Sequence, residues 1–233
     1  IVLPNQLDIL LRDTKGQLAR FMGYFETHAA KEINRLLGRT GAHFWQGHYD
    51  DQIIEGERTL WNEFCSVVAA PVKAGLVMRS VEWLGLSSLK LSLSGEPFSA
   101  SGVDKTRYHN ASRGQRKPDK EKFSHTYSFE LTPLPMLENT TQEERKTTIE
   151  KMLARAEARY RARWKCRSPL GMKKVLSQSP FGRPKDPARR RKRRFTCDSR
   201  ARELELEGIY REFIAGYKVV FDRFRESARL RKP

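Results

Sequence analysis

The residues best equipped for chemistry in this sequence are cationic. Arg189-Arg190-Arg191-Lys192-Arg193-Arg194 is an unbroken basic run, and Arg155, Arg159, Arg161, Arg163 and Lys165 crowd a stretch ahead of it. At such density cations repel one another unless a polyanion supplies the counter-charge, and binding phosphates releases condensed counterions. Trp164, Phe181 and Phe195 lie among them, where their rings can stack on bases or pack in a core. The other reactive types are less organised. His28, His43 and His48 bring three imidazoles close in sequence, but not at the spacing of a zinc motif. Cys65, Cys166 and Cys197 form no C-x-x-C pair, which excludes a zinc knuckle or disulfide framework and fits a reducing compartment. Ser66 has no histidine near it in sequence to act as a base.

Charge divides the chain. Residues 1–100 hold 10 Lys+Arg and 11 Asp+Glu, net −1; residues 101–233 hold the other 35 and 17, net +18, which together give the formal +17. The polyanion-facing surface therefore belongs to the C-terminal part, with nucleic acid as the expected partner. No run approaches the roughly 18 consecutive apolar residues of a membrane span. Ile1 opens a strand-like run rather than a signal peptide, and without an initiator Met a longer domain, or one that has lost its front half, is expected.

These groups need a scaffold. Val2, Leu7, Ile9 and Leu11 alternate as a strand, and Leu18 to Leu37 follow 3.6-residue spacing as a helix after Thr14 and Lys15, ended by Gly38. A strand over 43–54 precedes a helix from Glu57 that Pro71 ends or kinks. Residues 91–123 dissolve into Ser, Gly, Lys and Arg and read as a loop. Thr140 or Thr141 caps a helix running towards Trp164, a short helix covers 169–177, and Asp198 or Ser199 caps a terminal amphipathic helix bearing Leu204, Ile209, Phe213, Tyr217, Val220 and Phe224.

One block has a distinctive order: Phe44-Trp45-Gln46-Gly47-His48-Tyr49-Asp50, the helix from Glu57, Pro71-Val72-Lys73-Ala74-Gly75-Leu76-Val77, then Trp83 and Ser87-Ser88. It resembles the "W-Q-x-R-Y … Asn-Pro-Val-x-x-Gly-Leu-Val … W-x-W-S-S" block of the REP-associated tyrosine transposases. These single-tyrosine HUH-type enzymes cut and rejoin single-stranded DNA through a phosphotyrosine. The resemblance implies a ferredoxin-like core, two metal-ligating histidines, a tyrosine nucleophile and an asparagine ligand. The histidine positions fall on Gln6 and Asp8, the tyrosine on Ser66 and the asparagine on Ala70, so none is intact. Asp8 alone keeps a group that can ligate a hard cation, and both strand residues otherwise read as solvent-facing polar side chains. Serine is too short to reach a phosphate placed for a phenol.

The expected architecture is α+β: a partial ferredoxin-like (HUH-type) sheet-and-helix core at 1–94, a linker or long loop at 95–128, and a basic helical region at 129–233. The expected function is single-stranded or hairpin DNA binding without catalysis, through Arg159, Arg161, Arg163, Lys165 and Arg189, Arg190, Arg191, Lys192, Arg193 and Arg194. No cofactor is expected, Mg²⁺ or Mn²⁺ entering only if cleavage survives, and a bacterial cytoplasmic, nucleoid-associated location follows. Two rivals stand beside this: an active nicking enzyme that uses Asp8 with Tyr24 or Tyr49, and an interaction module whose terminal helix docks on a partner helix through Phe213, Tyr217 and Phe224. Self-association is a further partner expectation, with no residues assigned to it.

Overall fold

Local signals decide where most of the helices begin and end. The computed structural model describes residues 1–39, 43–113, 118–164, 168–179, 182 and 193–230, the last three of these without their side chains. In chain order the elements are β1 (Val2–Leu3), β2 (Gln6–Leu7), α1 (Leu18–Leu36), β3 (Ile53–Glu55), α2 (Glu57–Val68), α3 (Ala70–Lys73), α4 (Leu89–Ser94), β4 (Phe98–Val103), α5 (Lys105–Ala111), β5 (Ser124–Phe129), α6 (Gln142–Ala162), α7 (Met172–Leu176), β6 (Phe195–Cys197) and α8 (Arg200–Leu230). The architecture is mixed α+β, and among the described residues its strands form three separate pairs, β1 with β2, β3 with β6 and β4 with β5. None of the helices described is long and apolar enough to cross a membrane. Contacts group into two units interleaved in sequence, residues 1–9 with 64–183 and residues 10–63 with 184–233. That grouping follows a different line from the consecutive regions 1–94, 95–128 and 129–233.

In the first unit Pro71 sets the packing. Its ring lacks an N–H and cannot continue a helix, so α2 stops at Val68 and the single turn α3 restarts with Pro71 in its first turn. Val68, Ala69, Ala70, Pro71 and Val72 are all buried. α6 covers them, burying Ile149, Leu153, Ala156 and Tyr160 at helical spacing. Its start is a reciprocal capping box, in which Thr141 N–H donates to Glu144 Oε2 at 2.8 Å and Glu144 N–H donates back to Thr141 Oγ1 at 3.3 Å. Trp83 is buried below, its Nε1–H donating to Val2 O at 3.1 Å.

Two expectations for this unit are corrected. The strand expected over Val2 to Leu11 is a tight hairpin, Val2 opposite Leu7 and Leu3 opposite Gln6, because Pro4 and Asn5 favour a turn. The linker or loop expected over 95–128 contains the antiparallel pair of β4 and β5, from Phe98 opposite Phe129 to Val103 opposite Ser124. Hydroxyls bridge the strands between Ser99 and Ser128 (3.3 Å) and between Ser101 and Thr126 (2.9 Å). Serine composition reads as loop in sequence, yet here it supports cross-strand pairs.

In the second unit α1 starts on Asp13, whose carboxylate accepts from the N–H groups of Lys15, Gln17 and Leu18 at 3.1, 3.0 and 2.8 Å. Thr14 and Lys15 were the expected signals; Asp13 does the capping. Among the helix's apolar residues Met22 is buried while Phe21, Tyr24 and Leu36 stay exposed. The strand expected over 43–54 shrinks to β3, which pairs in parallel with β6, Ile53 opposite Phe195. Trp45 instead turns its Nε1–H onto Glu26 O at 2.8 Å.

Asp198 follows β6 and caps α2 rather than α8. Its Oδ1 accepts from the N–H and the hydroxyl of Thr59, both at 2.6 Å, and Oδ2 accepts from Arg58 N–H at 3.3 Å. The Thr59 hydroxyl, then the backbone N–H groups, hold its carboxyl below the usual range, a stabilisation present above the unfolded value and lost as pH falls through the folded one. Gly56 makes room for that cap: its φ is +103°, and a Cβ there would land on the Asp198 carboxylate. Gly56→Ala is therefore expected to cost about 2 kcal/mol, read as a lower urea midpoint at unchanged slope.

Candidate nucleic-acid interface

Ser66 on α2 and Lys73 on α3 are close to two helical turns apart, so the brief interruption at Ala69 returns them to one face. Lys73 Nζ donates to Ser66 Oγ at 3.0 Å. The same ammonium lies 5.8 Å from the centroid of the Tyr160 ring, and the Arg163 guanidinium carbon lies 5.9 Å from it. Arg163 reaches the ring because it sits three residues further along α6. Arg159 lies one helical turn before Arg163 on α6, beside Tyr160 in sequence.

Neighbouring bonds fix this patch. Trp164 Nε1–H donates to Val72 O at 3.1 Å, and Leu170 and Gly171 N–H donate to Gly75 O and Leu76 O at 2.8 and 2.9 Å. Among the described residues no carboxylate pairs with Lys73, Arg159 or Arg163. A hydroxyl beside two uncompensated cations, with a third one turn back on α6, suits a phosphate: the Ser66 oxygen already accepts from Lys73, which leaves its proton free to donate outward. An ammonium donor at Oγ is the opposite of the base a serine nucleophile requires.

The expected DNA-binding residues separate into three groups. Arg159 and Arg163 belong to the cluster just described. Arg161, by contrast, donates to Met78 O at 3.0 Å and to Glu157 Oε2 at 3.3 Å, while Glu157 Oε1 accepts from Ser80 N–H at 2.7 Å. It ties α6 to the turn at Ser80. Lys165 and Arg189, Arg190, Arg191 and Lys192 lie outside the described residues, as does the candidate stacking residue Phe181. Arg193 donates to Glu203 at 3.2 Å, a buried carboxylate that also takes Arg200 at 2.6 Å. Arg194 donates to Asp51 at 3.2 Å with its guanidinium 4.4 Å over the Tyr210 ring. The last two members of the basic run thus hold β6 and α8 in place. Of the other candidate stacking rings, Phe195 is buried and Trp164 is hydrogen-bonded as above.

The positions implied by the resemblance are placed as follows. Gln6 Nε2 donates to both carboxylate oxygens of Asp8 at 2.7 and 2.6 Å, an exposed pair. Ala70 is buried. Tyr24 is exposed against His28, ring centroids 4.1 Å apart, and it and Tyr49 belong to the second unit, whereas Gln6, Asp8 and Ser66 belong to the first. No group of three or more His, Cys, Asp or Glu able to hold a metal occurs among the described residues. Sequence reasoning gave Lys73 and Tyr160 no part; the signals were the seven-residue step from Ser66 and the three-residue step to Arg163.

Cys65 adjoins the cluster without being reactive. Burial pushes its thiol up to about 11, against the pull of Arg159. At about pH 8 it is expected to alkylate at least ~100-fold more slowly than a free thiol, read residue by residue by mass spectrometry, and to react fully once the chain is unfolded. No protein-family model, curated protein or solved structure matches the sequence.

Proposed function

We propose that this chain is a single-stranded DNA-binding protein of transposase type that holds a strand without cutting it. The observation that carries the reading is the Lys73 ammonium on the Ser66 hydroxyl and beside the Tyr160 ring, joined at that ring by Arg163, with Arg159 one turn earlier on α6, at the position where the resembling family has its tyrosine. Phosphate held there would meet donors, and Ser66, at the family's tyrosine position, has an ammonium rather than a base beside it. The net +18 of residues 101–233 supports a polyanion partner, and the motif order from Trp45 to Trp83 supports the transposase relation. On this reading residues 1–94 correspond to a partial HUH-type, ferredoxin-like core, and the protein works at the bacterial nucleoid. Binding needs no metal; Mg²⁺ or Mn²⁺ would enter only with cleavage.

The test is direct. A labelled hairpin oligonucleotide with single-stranded flanks is titrated over a range of salt, with and without Mn²⁺. The expected result is salt-dependent binding of the single-stranded flank and no covalent product. A protease-sensitive adduct in Mn²⁺ would restore the enzyme, and absence of binding at low salt would remove the proposal.

A further inference from the structure

The C-terminal part of α8 raises a different question. Residues 211–227 are all exposed, yet they carry Phe213, Ile214, Tyr217, Val220, Phe221 and Phe224, with Phe213, Tyr217, Val220 and Phe224 between 58% and 67% exposed. The segment is a poor helix former by itself, since Gly216, Val219, Val220 and four aromatic rings all rank low in helix propensity. A helix of this length without tertiary contacts is marginal in water. Packing has to supply what propensity does not.

The apolar positions are organised. Tyr210, Phe213, Tyr217, Val220 and Phe224 step three, four, three and four residues, a single seam along the helix. Tyr210 is already covered by Phe195, ring centroids 6.0 Å apart, and by Arg194. From Phe213 the seam is open, and its rings already stack along the helix, Phe213 to Tyr217 at 6.5 Å and Tyr217 to Phe221 at 6.0 Å. Four aromatic side chains of about 200 Å² each, partly exposed, with Ile214 and Val220, offer on the order of 600 Å² of apolar surface. That is at the upper limit of the largest patch on an ordinary monomer. The aliphatic stems of Lys218 and Arg225 on the flank bring the face towards the ~800 Å² per partner of a standard interface.

We propose that this face pairs with the same face of a second copy of the chain. The seam holds no charge, so two identical faces bring no like charges together at their centre, and a two-fold pairing asks of each copy only the surface it already presents. The proposal is independent of the nucleic-acid reading. Its test is sedimentation velocity on the full chain, freed of nucleic acid, at about 10 µM, a concentration that populates a micromolar dimer. The unaltered chain is expected to sediment as two copies. Phe213→Glu combined with Tyr217→Glu puts four charges into the paired seam and should weaken association at least ~100-fold, giving single copies. Val220→Glu, at the seam's middle, gives a second reading should the double variant fold poorly. Ala215→Glu lies on the opposite face of the same helix and should leave two copies. A single copy for the unaltered chain, or equal dissociation by Ala215→Glu, overturns the proposal.

Discussion

Replacing Lys73, Arg159 and Arg163 together by Gln is expected to weaken binding of a single-stranded oligonucleotide on the order of 100-fold at low salt. Each phosphate neutralised on a single strand contributes about 0.7 to the slope of log affinity against log salt, so losing three contacts should flatten that slope by about 2. The prediction separates geometry from bulk charge. Arg161→Gln removes one of the same helix's cations, two residues from Arg159 and from Arg163, but from a side chain engaged with Met78 O and Glu157. It should lower the melting temperature and leave the slope nearly unchanged. Replacing Arg189, Arg190, Arg191 and Lys192 by Gln, with Arg193 and Arg194 left in place, measures the rest of the basic run without unseating β6. If that change alone abolishes binding while the triple variant binds as before, the Ser66 patch has no part in recognition.

Those controls follow from what the sequence could and could not disclose. Helices were legible where the signal is local: the apolar spacing of Leu18 to Leu37, the glycine at 38 with its φ of +64°, and a threonine cap at 140 or 141, of which the structure uses Thr141. The α+β class followed from the same periodicities. What stayed hidden depends on partners far along the chain. Residues 53–55 pair with 195–197, and Asp198 caps a helix that begins some 140 positions earlier, so neither fact can be read from a window of neighbours. Arg161 and Arg163 look alike in sequence because both are exposed-type residues on one helix. One meets a buried carboxylate and the other a tyrosine ring, a difference set by their 200° separation around the helix axis at ~100° per residue. Lys73 was passed over because a lone lysine after Pro-Val carries no message until Ser66 is seen two turns behind it.

Glu157 is the residue whose loss should damage the fold most specifically. It is buried at 7% exposure and joins two elements: Oε1 accepts from Ser80 N–H at 2.7 Å, and Oε2 accepts from Arg161 at 3.3 Å. Ser80 is itself buried, and its hydroxyl already has no hydrogen-bond partner among the described atoms. Glu157→Ala would leave the Ser80 N–H unpaired as well, and would leave Arg161 with Met78 O alone. A hydrogen bond to a charged group is worth about 1.5–3 kcal/mol, and an orphaned buried donor adds its own desolvation penalty, so a loss of about 3 kcal/mol is expected. Glu157→Gln keeps an acceptor for Ser80 and removes the charge facing Arg161, and should lose about 1 kcal/mol. The order Ala below Gln below the unaltered chain, read from urea midpoints at constant slope, is the expected result. Equal midpoints for all three would mean that the Ser80 turn is not held by this carboxylate, and that the burial of Ile149, Leu153, Ala156 and Tyr160 alone keeps α6 on α3.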